Sequence, residues 1–152
     1  MTVSPEDTVA LVTGANGDIG RAITRLLTQS GATVICSDLR APDNADDGAE
    51  FIELDVTDES SWSRALQQIE DRHGALEALV NNAGIAPMAR IEDTSLEEWK
   101  RCQQVNVMGM FLGHKMAAPL LARSGPRREG GAAIVNLCSG ASDKPTAFAS
   151  AY

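Results

Sequence analysis

Residues 8–38 read TVALVTGANGDIGRAITRLLTQSGATVICSD, and this stretch decides the fold. It begins with a short β-rich run, Thr8–Thr13, which leads into the glycine-containing turn Gly14–Gly20. Apolar residues then recur at helical spacing, at Ile19, Ile23, Leu26 and Leu27. A second apolar run follows at Ala32–Cys36. The pattern predicts a strand, a tight turn, a helix and a second strand, which together form a βαβ unit of about 30 residues.

The same alternation continues along the rest of the chain. Further strands are predicted at Phe51–Leu54, Leu76–Val80 and Ala132–Leu137. Helices are predicted over 58–73, with Trp62, Leu66 and Ile69 facing inward, and from Thr94 or Ser95 towards Pro119. Alternating elements with nearly continuous apolar strands predict an α/β fold, a Rossmann-type doubly wound parallel sheet of about five strands. At 152 residues, of which 43% are apolar, a single domain over residues 1–152 is expected.

Composition argues against several classes of partner. The chain has 13 basic and 21 acidic residues and a net charge of −8, which disfavours nucleic acid and anionic membranes as partners. It has neither a basic leader before an apolar stretch nor an apolar run of about 18 residues, so a cytoplasmic protein without a membrane span is expected. Cys36, Cys102 and Cys138 form no C-x-x-C pair, so we expect no disulfide framework, no metal site and three buried thiols.

Three glycines mark the first turn as a candidate phosphate site. Gly14, Gly17 and Gly20 lie where the first strand gives way to the first helix, so bare backbone can approach a pyrophosphate at the helix N-terminus. A glycine turn alone is also compatible with a purely structural tight turn. A Walker phosphate loop is rejected, because Gly20 is followed by Arg21 and Ala22 where lysine and Ser/Thr are required.

Asp38 adds a second, independent signal. It closes the second strand 18 residues after Gly20, where a carboxylate can accept hydrogen bonds from an adenosine ribose and repel a 2′-phosphate. Together with the glycine turn, Asp38 predicts a dinucleotide cofactor and favours NAD over NADP.

The later motifs extend this interpretation. They are, in chain order, Thr13–Gly20 (TGANGDIG), Asp55-Val56, Asn81–Gly84 (NNAG), Asn106, Ser139 and Tyr152. In order and spacing the chain resembles the N-terminal part of the short-chain dehydrogenase/reductase family, ending at the catalytic tyrosine. The resemblance implies an NAD-dependent oxidoreductase that interconverts an alcohol and a carbonyl by hydride transfer.

The resemblance also implies a role for each motif residue. Gly14, Asn16, Ile19 and Gly20 would hold the pyrophosphate, Asp38 the ribose, Asp55 and Val56 the adenine, and Asn82, Ala83 and Gly84 would line the path to the nicotinamide. Tyr152 would be the general acid or base, Ser139 would orient and polarise the substrate oxygen, and Asn106 would anchor a proton-relay water. Oligomerisation as a dimer or tetramer, through the helix containing Met108–Pro119, is likewise implied by the resemblance. The identity of the alcohol or ketone stays open.

Two departures from the family pattern carry expectations of their own. Asp18 stands where the family usually has glycine, so its carboxylate should either weaken pyrophosphate binding or cap the first helix. The family lysine that follows the tyrosine by four residues falls beyond residue 152. A chain ending at Tyr152 is expected to be a poor catalyst whose Ala132–Leu137 strand forms an exposed apolar edge prone to self-association. The alternative function is therefore a non-catalytic protein that binds a dinucleotide or a partner.

Overall fold

The structure is a computed structural model that describes residues 5–42, 49–127 and 130–152. Residues 43–48, within the predicted connection 41–50, lie outside the described residues, as do residues 1–4 and 128–129. The strands are β1 (Val9–Thr13), β2 (Thr33–Asp38), β3 (Glu50–Glu53), β4 (Ala78–Asn81) and β5 (Ala133–Asn136). The helices are α1 (Asp18–Gln29), α2 (Glu59–His73), α3 (Leu96–Gln103) and α4 (Gly109–Ser124), with a π-helical turn, Gln104–Met108, joining α3 to α4. All five predicted strands are present.

The strands form one parallel sheet in the order β3-β2-β1-β4-β5. The chain moves outward from β1 to β3 and then returns to the opposite side of β1 to place β4. This reversal makes a switch point between β1 and β4, and open α/β sheets bind ligands beyond the carboxyl ends of strands at such a point. The prediction of a Rossmann-type, doubly wound α/β fold is confirmed.

Two apolar clusters cover the two faces of the sheet. The larger one packs α2 and α4 against the sheet and includes Trp62, Leu66 and Ile69, as the sequence predicted. The smaller one lies under α1 and contains Ile23 and Leu27, but Ile19 and Leu26 are exposed. The buried positions of α1 are instead Gly20 and Thr24, because α1 begins so close to the β1 turn that small residues must face it.

Two expectations about local structure are wrong. The last predicted helix does not end near Pro119, since α4 carries that proline in its interior and continues to Ser124. An interior proline removes one backbone hydrogen bond, and the buried Leu120, Leu121 and Ser124 keep the following turn helical. The three thiols are also not equivalent, because Cys102 is buried whereas Cys138 is exposed.

The sheet is covered unevenly on the α1 side. Val12, Val80 and Val135 are neighbours in register on β1, β4 and β5, and they are 0%, 6% and 51% exposed. Helix α1 therefore covers the centre of the sheet and leaves this face of β5 uncovered. In the part of the chain that is described, no helix is both long and apolar enough to cross a bilayer.

Candidate active site

The β1–α1 turn is built by two glycines that have no room for a side chain. Gly14 has φ +63°, and a Cβ on it would lie 2.7 Å from the Ala83 Cα. A Cβ on Gly20 would lie 2.4 Å from the Gly14 carbonyl oxygen. Gly17 differs, because a Cβ there would meet the same carbonyl at an ordinary 3.6 Å. The turn thus packs its bare backbone directly onto the loop that follows β4.

The N-terminus of α1 opens at this turn. Gly17 is the N-cap residue and supplies no side-chain cap hydrogen bond, so Asp18 does not cap the helix as one expectation held. Asp18 is instead the first helical residue, and it lines the cavity beside the turn. Because no side-chain oxygen caps the first turn, its N–H groups keep their capacity to bind an anion.

Thr13 and Asn82 join the two strands that flank the switch point. The Thr13 hydroxyl accepts hydrogen bonds from the backbone N–H groups of Asn82 and Ala83, at 3.1 and 3.0 Å, and donates to the Val80 carbonyl at 3.3 Å. The Asn82 amide donates to the carbonyls of Thr13 and Gly14 at 2.9 and 3.0 Å. Sequence reasoning gave Thr13 no role, although a hydroxyl at the end of a buried strand directly before Gly14 was a usable signal.

Asp38 and Asn16 form a second link, between the glycine turn and the end of β2. The Asn16 N–H donates to Asp38 Oδ2 at 3.0 Å, and the Leu39 N–H donates to Asp38 Oδ1 at 2.8 Å. The Asn16 side chain donates to the Arg40 carbonyl at 2.7 Å, and the Asn16 carbonyl accepts from Arg21 Nε at 3.0 Å. Asn16 is not among the residues that line the cavity, so in this structure it holds the turn and orients Asp38.

Asp55 is fixed by the residues that follow it. Its Oδ1 accepts hydrogen bonds from the backbone and the hydroxyl of Thr57, at 2.9 and 2.7 Å, and its own N–H donates to Ser61 Oγ at 3.0 Å. Both accepted bonds use Oδ1, and none of the described hydrogen bonds uses Oδ2. The neighbouring Val56 carbonyl accepts from the buried Trp62 indole at 3.0 Å. The pair is thus presented to the cavity by a rigid turn.

A cavity of about 450 Å³ lies at the switch point, within the usual size range of cofactor sites. Most of the predicted cofactor-binding residues line it, namely Gly14, Asp18, Ile19, Gly20, Asp38, Asp55, Val56, Asn82, Ala83 and Gly84. It is also lined by Gly17 and by residues that sequence reasoning did not select as site residues, namely Leu39, Leu54, Ile85, Arg101 and Val105. None of these five residues carries a motif of its own. Leu39 and Leu54 directly follow β2 and β3, and Ile85, Arg101 and Val105 join the lining where the α3 segment packs beside the loop after β4.

Asn106 lies in the π-helical turn, and its side chain is committed to Ile85. Its Oδ1 accepts from the Ile85 N–H and its Nδ2 donates to the Ile85 carbonyl, both at 2.8 Å. The Cys102 thiol lies one turn away, 3.4 Å from Asn106 Nδ2, and burial raises its pKa. Asn106 therefore fastens the helix to the loop that contains Asn82–Gly84.

Ser139 and Tyr152 lie outside the lining of this cavity. Ser139 follows β5 and begins a short 3₁₀ turn, in which its Oγ accepts from the Ala141 N–H at 3.2 Å. That bond does not use the hydroxyl proton. Tyr152 is half-exposed, and its backbone N–H donates to the Ala149 carbonyl at 3.3 Å. The described contacts include no hydrogen bond between the two side chains.

A doubly wound parallel sheet with a glycine turn and a cavity at its switch point defines a Rossmann-type domain. The family model described as short chain dehydrogenase matches residues 8–152, and the chain belongs to that family. A curated relative, trans-4-hydroxycyclohexanecarboxylate dehydrogenase of Sinomonas cyclohexanicum, is 35% identical over 146 residues, which cover 86% of this chain and 54% of that protein. The chain spans about half the length of the curated relatives it matches.

Solved structures agree with this assignment. Ligand-free aldohexose dehydrogenase from Thermoplasma acidophilum is 36% identical, with a TM-score of 0.89 over 99% of this chain and 57% of that one. The 3-ketoacyl-(acyl-carrier-protein) reductase from Brucella melitensis, solved with NADH, is 28% identical, with a TM-score of 0.87 over 98% of this chain and 64% of that one.

Proposed function

We propose that the protein is an NAD-dependent oxidoreductase that interconverts an alcohol and a carbonyl by hydride transfer. The observation that carries this proposal is the cavity at the switch point, which has the uncapped N-terminus of α1 on one side and the Asp38 carboxylate on another. These two features match the two chemically distinct parts of a dinucleotide, its anionic pyrophosphate and its neutral ribose hydroxyls. The short-chain dehydrogenase relatives support the same assignment.

The preference for NAD over NADP rests on how Asp38 is held. Each of its carboxylate oxygens already accepts one backbone N–H, from Asn16 or Leu39, so the carboxylate is fixed in place and each oxygen retains capacity for a ribose hydroxyl. A 2′-phosphate would instead face a fixed negative charge. Replacing Asp38 by Asn should therefore weaken NAD binding and reduce the difference in affinity between NAD and NADP.

The residues around the cavity fit the cofactor. The bare backbone at Gly14 and Gly20 and the first turn of α1 would hold the pyrophosphate, and Asp55 Oδ2 would accept from the adenine amino group. NAD supplies the hydride acceptor, or NADH the donor, when bound. The loop Asn82–Gly84, which Thr13 and Asn106 fasten from two sides, would line the path to the nicotinamide.

The chain would handle the substrate proton with Tyr152 and Ser139. Tyr152 would exchange a proton with the substrate oxygen, and the Ser139 hydroxyl would donate to that oxygen and orient it. The Asn106 side chain is already occupied by Ile85. A proton-relay water would therefore bind a main-chain carbonyl of the π-helical turn, since one carbonyl is passed over where i→i+5 bonding returns to i→i+4 bonding.

The first experiment is to sequence the source DNA past the Tyr152 codon and to express the protein from its natural reading frame. A lysine four residues after Tyr152, NADH formation with a panel of cyclic and acyclic secondary alcohols, and loss of that activity in Tyr152→Phe would support the proposal. A stop codon after Tyr152, with NAD binding but no turnover of any alcohol, would favour the alternative of a non-catalytic dinucleotide-binding protein.

The exposed face of the α3–α4 segment supports a second proposal, that the protein forms a homo-oligomer. Five large apolar side chains are exposed along it, at Leu96, Trp99, Val107, Met108 and Phe111. Several large exposed apolar side chains on one helical segment favour an interaction site. Light scattering on the natural protein would test the proposal, and a strictly monomeric mass at micromolar concentration would contradict it.

A further inference from the structure

The segment that leads into Tyr152 is anchored by its backbone to a distant loop. The Ala89 N–H donates to the Phe148 carbonyl at 2.6 Å, and Ala89 and Ala149 form an isolated parallel β-bridge. The Ser150 hydroxyl donates to the Ala89 carbonyl at 3.1 Å. Phe148 adopts φ +66°, a strained value for a bulky residue, which persists only where neighbouring contacts fix the backbone. Residues 148–150 therefore fix the backbone that leads into Tyr152, without any contribution from the tyrosine side chain.

Gln103 completes this anchoring at the residue next to Tyr152. Its Nε2 donates to the Ala151 carbonyl at 3.1 Å, and Ala151 is buried. The Tyr152 N–H, which belongs to the same peptide unit, donates to the Ala149 carbonyl. Both polar atoms of that unit are thus engaged. The plane of a peptide unit includes the N–Cα bond of the next residue, so this pair of bonds fixes the position of the Tyr152 Cα, from which the ring extends.

Gln103 and Asn106 act from the same stretch of helix. Gln103 is the last residue of α3, and Asn106 follows three residues later in the π-helical turn. Asn106 holds Ile85, directly after the Asn82–Gly84 loop of the cavity, while Gln103 holds Ala151. One helical segment thereby connects the cofactor side of the site to its tyrosine side.

From this geometry we infer that Gln103 is a positioning residue for Tyr152. Gln103 is not among the residues that line the cavity, and it acts through the peptide unit that carries the tyrosine. The inference rests on the proposed function for its kinetic consequence, but the orientation of the ring is measurable without turnover.

The kinetic test uses the protein expressed from its natural reading frame. Gln103→Met keeps the side-chain volume and removes the donor, and Gln103→Glu places an acceptor against the Ala151 carbonyl. Gln104→Met is the matched control, since Gln104 is the adjacent glutamine and is exposed. We expect Gln103→Met to lower kcat about tenfold and Gln103→Glu to lower it further, with an unchanged KM for NAD, because the tyrosine is misplaced. Gln103→Lys, which keeps a donor at similar reach, should restore most of the activity.

The second readout is independent of activity. Tyr152 is the only tyrosine among the 152 residues, so its ring signal in selectively labelled protein can be assigned with a Tyr152→Phe variant. Gln103→Met should shift or broaden that signal, and Gln104→Met should leave it unchanged. If Gln103→Met retains both the parental kcat and the parental ring signal, the inference is overturned. Equal losses of kcat, NAD affinity and thermal stability in Gln103→Met and Gln104→Met would also overturn it, because they would indicate general destabilisation.

Failure of the proposed function gives a different pattern. If the parent protein, like Tyr152→Phe, turns over no alcohol, the dehydrogenase proposal fails, and the ring signal alone then decides whether Gln103 positions the tyrosine. A changed ring signal in Gln103→Met would still support the positioning role of Gln103, and an unchanged ring signal would overturn it.

Discussion

Gly20 shows how closely the first turn is packed. An added Cβ would lie 2.4 Å from the Gly14 carbonyl oxygen and 2.7 Å from the Ala15 Cα, and both atoms belong to backbone that cannot move aside cheaply. We expect Gly20→Ala to destabilise the fold by about 1–3 kcal/mol, as overpacking does, and to abolish NAD binding. Gly17→Ala is the control, because its Cβ would have an ordinary contact at 3.6 Å. Equal thermal stability of the two variants would contradict this account of the turn.

Asp18 brings a negative charge to the place where an anion is expected. It is the first residue of α1 and lines the cavity, so it should repel a bound pyrophosphate while stabilising the helix N-terminus. Asp18→Gly should therefore bind NAD more tightly, and Asp18→Asn should do so without adding glycine flexibility. The expected gain is about 0.3–1 kcal/mol in binding, with a small loss of thermal stability. NAD titration tests the expected gain in affinity, and thermal unfolding tests the expected loss of stability. An unchanged or weaker affinity for NAD in Asp18→Gly would show that Asp18 does not repel the pyrophosphate.

Helix α2 shows how a cap makes stability depend on pH. Asp58 is its N-cap residue and accepts from the N–H groups of Ser60 and Ser61 and from the Ser60 hydroxyl, at 3.1, 3.0 and 2.6 Å. These bonds, led by that from the Ser60 hydroxyl, hold the pKa of Asp58 below its usual value. A lowered folded-state pKa means that the stabilisation is fully present above the unfolded pKa, and is lost as the pH falls through the folded one.

Asp58→Asn should therefore be less stable than the parent protein at pH 7. The difference between the two urea midpoints should shrink as the pH falls from roughly 5 towards 3, below the ordinary aspartate pKa. Asp58→Ala, which also loses the acceptor, should remain the least stable of the three near neutral pH. A parent–Asn difference that stays constant across this range would show that the charge of Asp58 contributes nothing to the cap.

The elements differ in how far the sequence could predict them. Apolar runs bounded by glycine and polar turns predicted every strand, since buried parallel strands are apolar along their length. The π-helical turn at Gln104–Met108 and the passage of α4 through Pro119 were not predictable, because both depend on tertiary packing that overrides local propensity. The site divides in the same way. The turn glycines with Thr13 before them, Asp38 and the Asn82–Gly84 loop carry recognisable patterns, whereas Arg101 and Gln103 acquire their positions only when separate elements meet.

At the scale of the whole molecule, the site lies at the switch point between β1 and β4, where the order in which the chain adds strands reverses. The chain leaves β1 for α1 on one face of the sheet and leaves β4 for the helices on the other, and Thr13 and Asn82 join the ends of the two strands. The α3–α4 segment then spans from the cofactor loop to the tyrosine segment through Asn106 and Gln103. The cavity, the tyrosine segment and the exposed apolar side chains of α3–α4 are thus all in contact with one helical segment.

The uneven coverage of the sheet makes a final prediction for the polypeptide of residues 1–152. Val135 is 51% exposed on β5, which is also the edge strand, and an apolar edge of this kind is a template for pairing with another chain. We expect this polypeptide to self-associate, and we expect Val135→Lys to suppress the association because a charge on an edge strand opposes pairing. The stability of the monomer should change by less than about 0.5 kcal/mol, as for other surface substitutions.

Light scattering across a concentration series measures this association, and Phe111→Lys on the exposed face of α4 separates the two candidate surfaces. If Val135→Lys restores the monomer and Phe111→Lys does not, the chains associate through the uncovered β5 strand. If only Phe111→Lys restores the monomer, the chains meet through the helical face, and the edge-strand explanation is wrong. The physical distinction is between unsatisfied backbone at a sheet edge, which recruits strands, and apolar side chains on a helix, which recruit another apolar face.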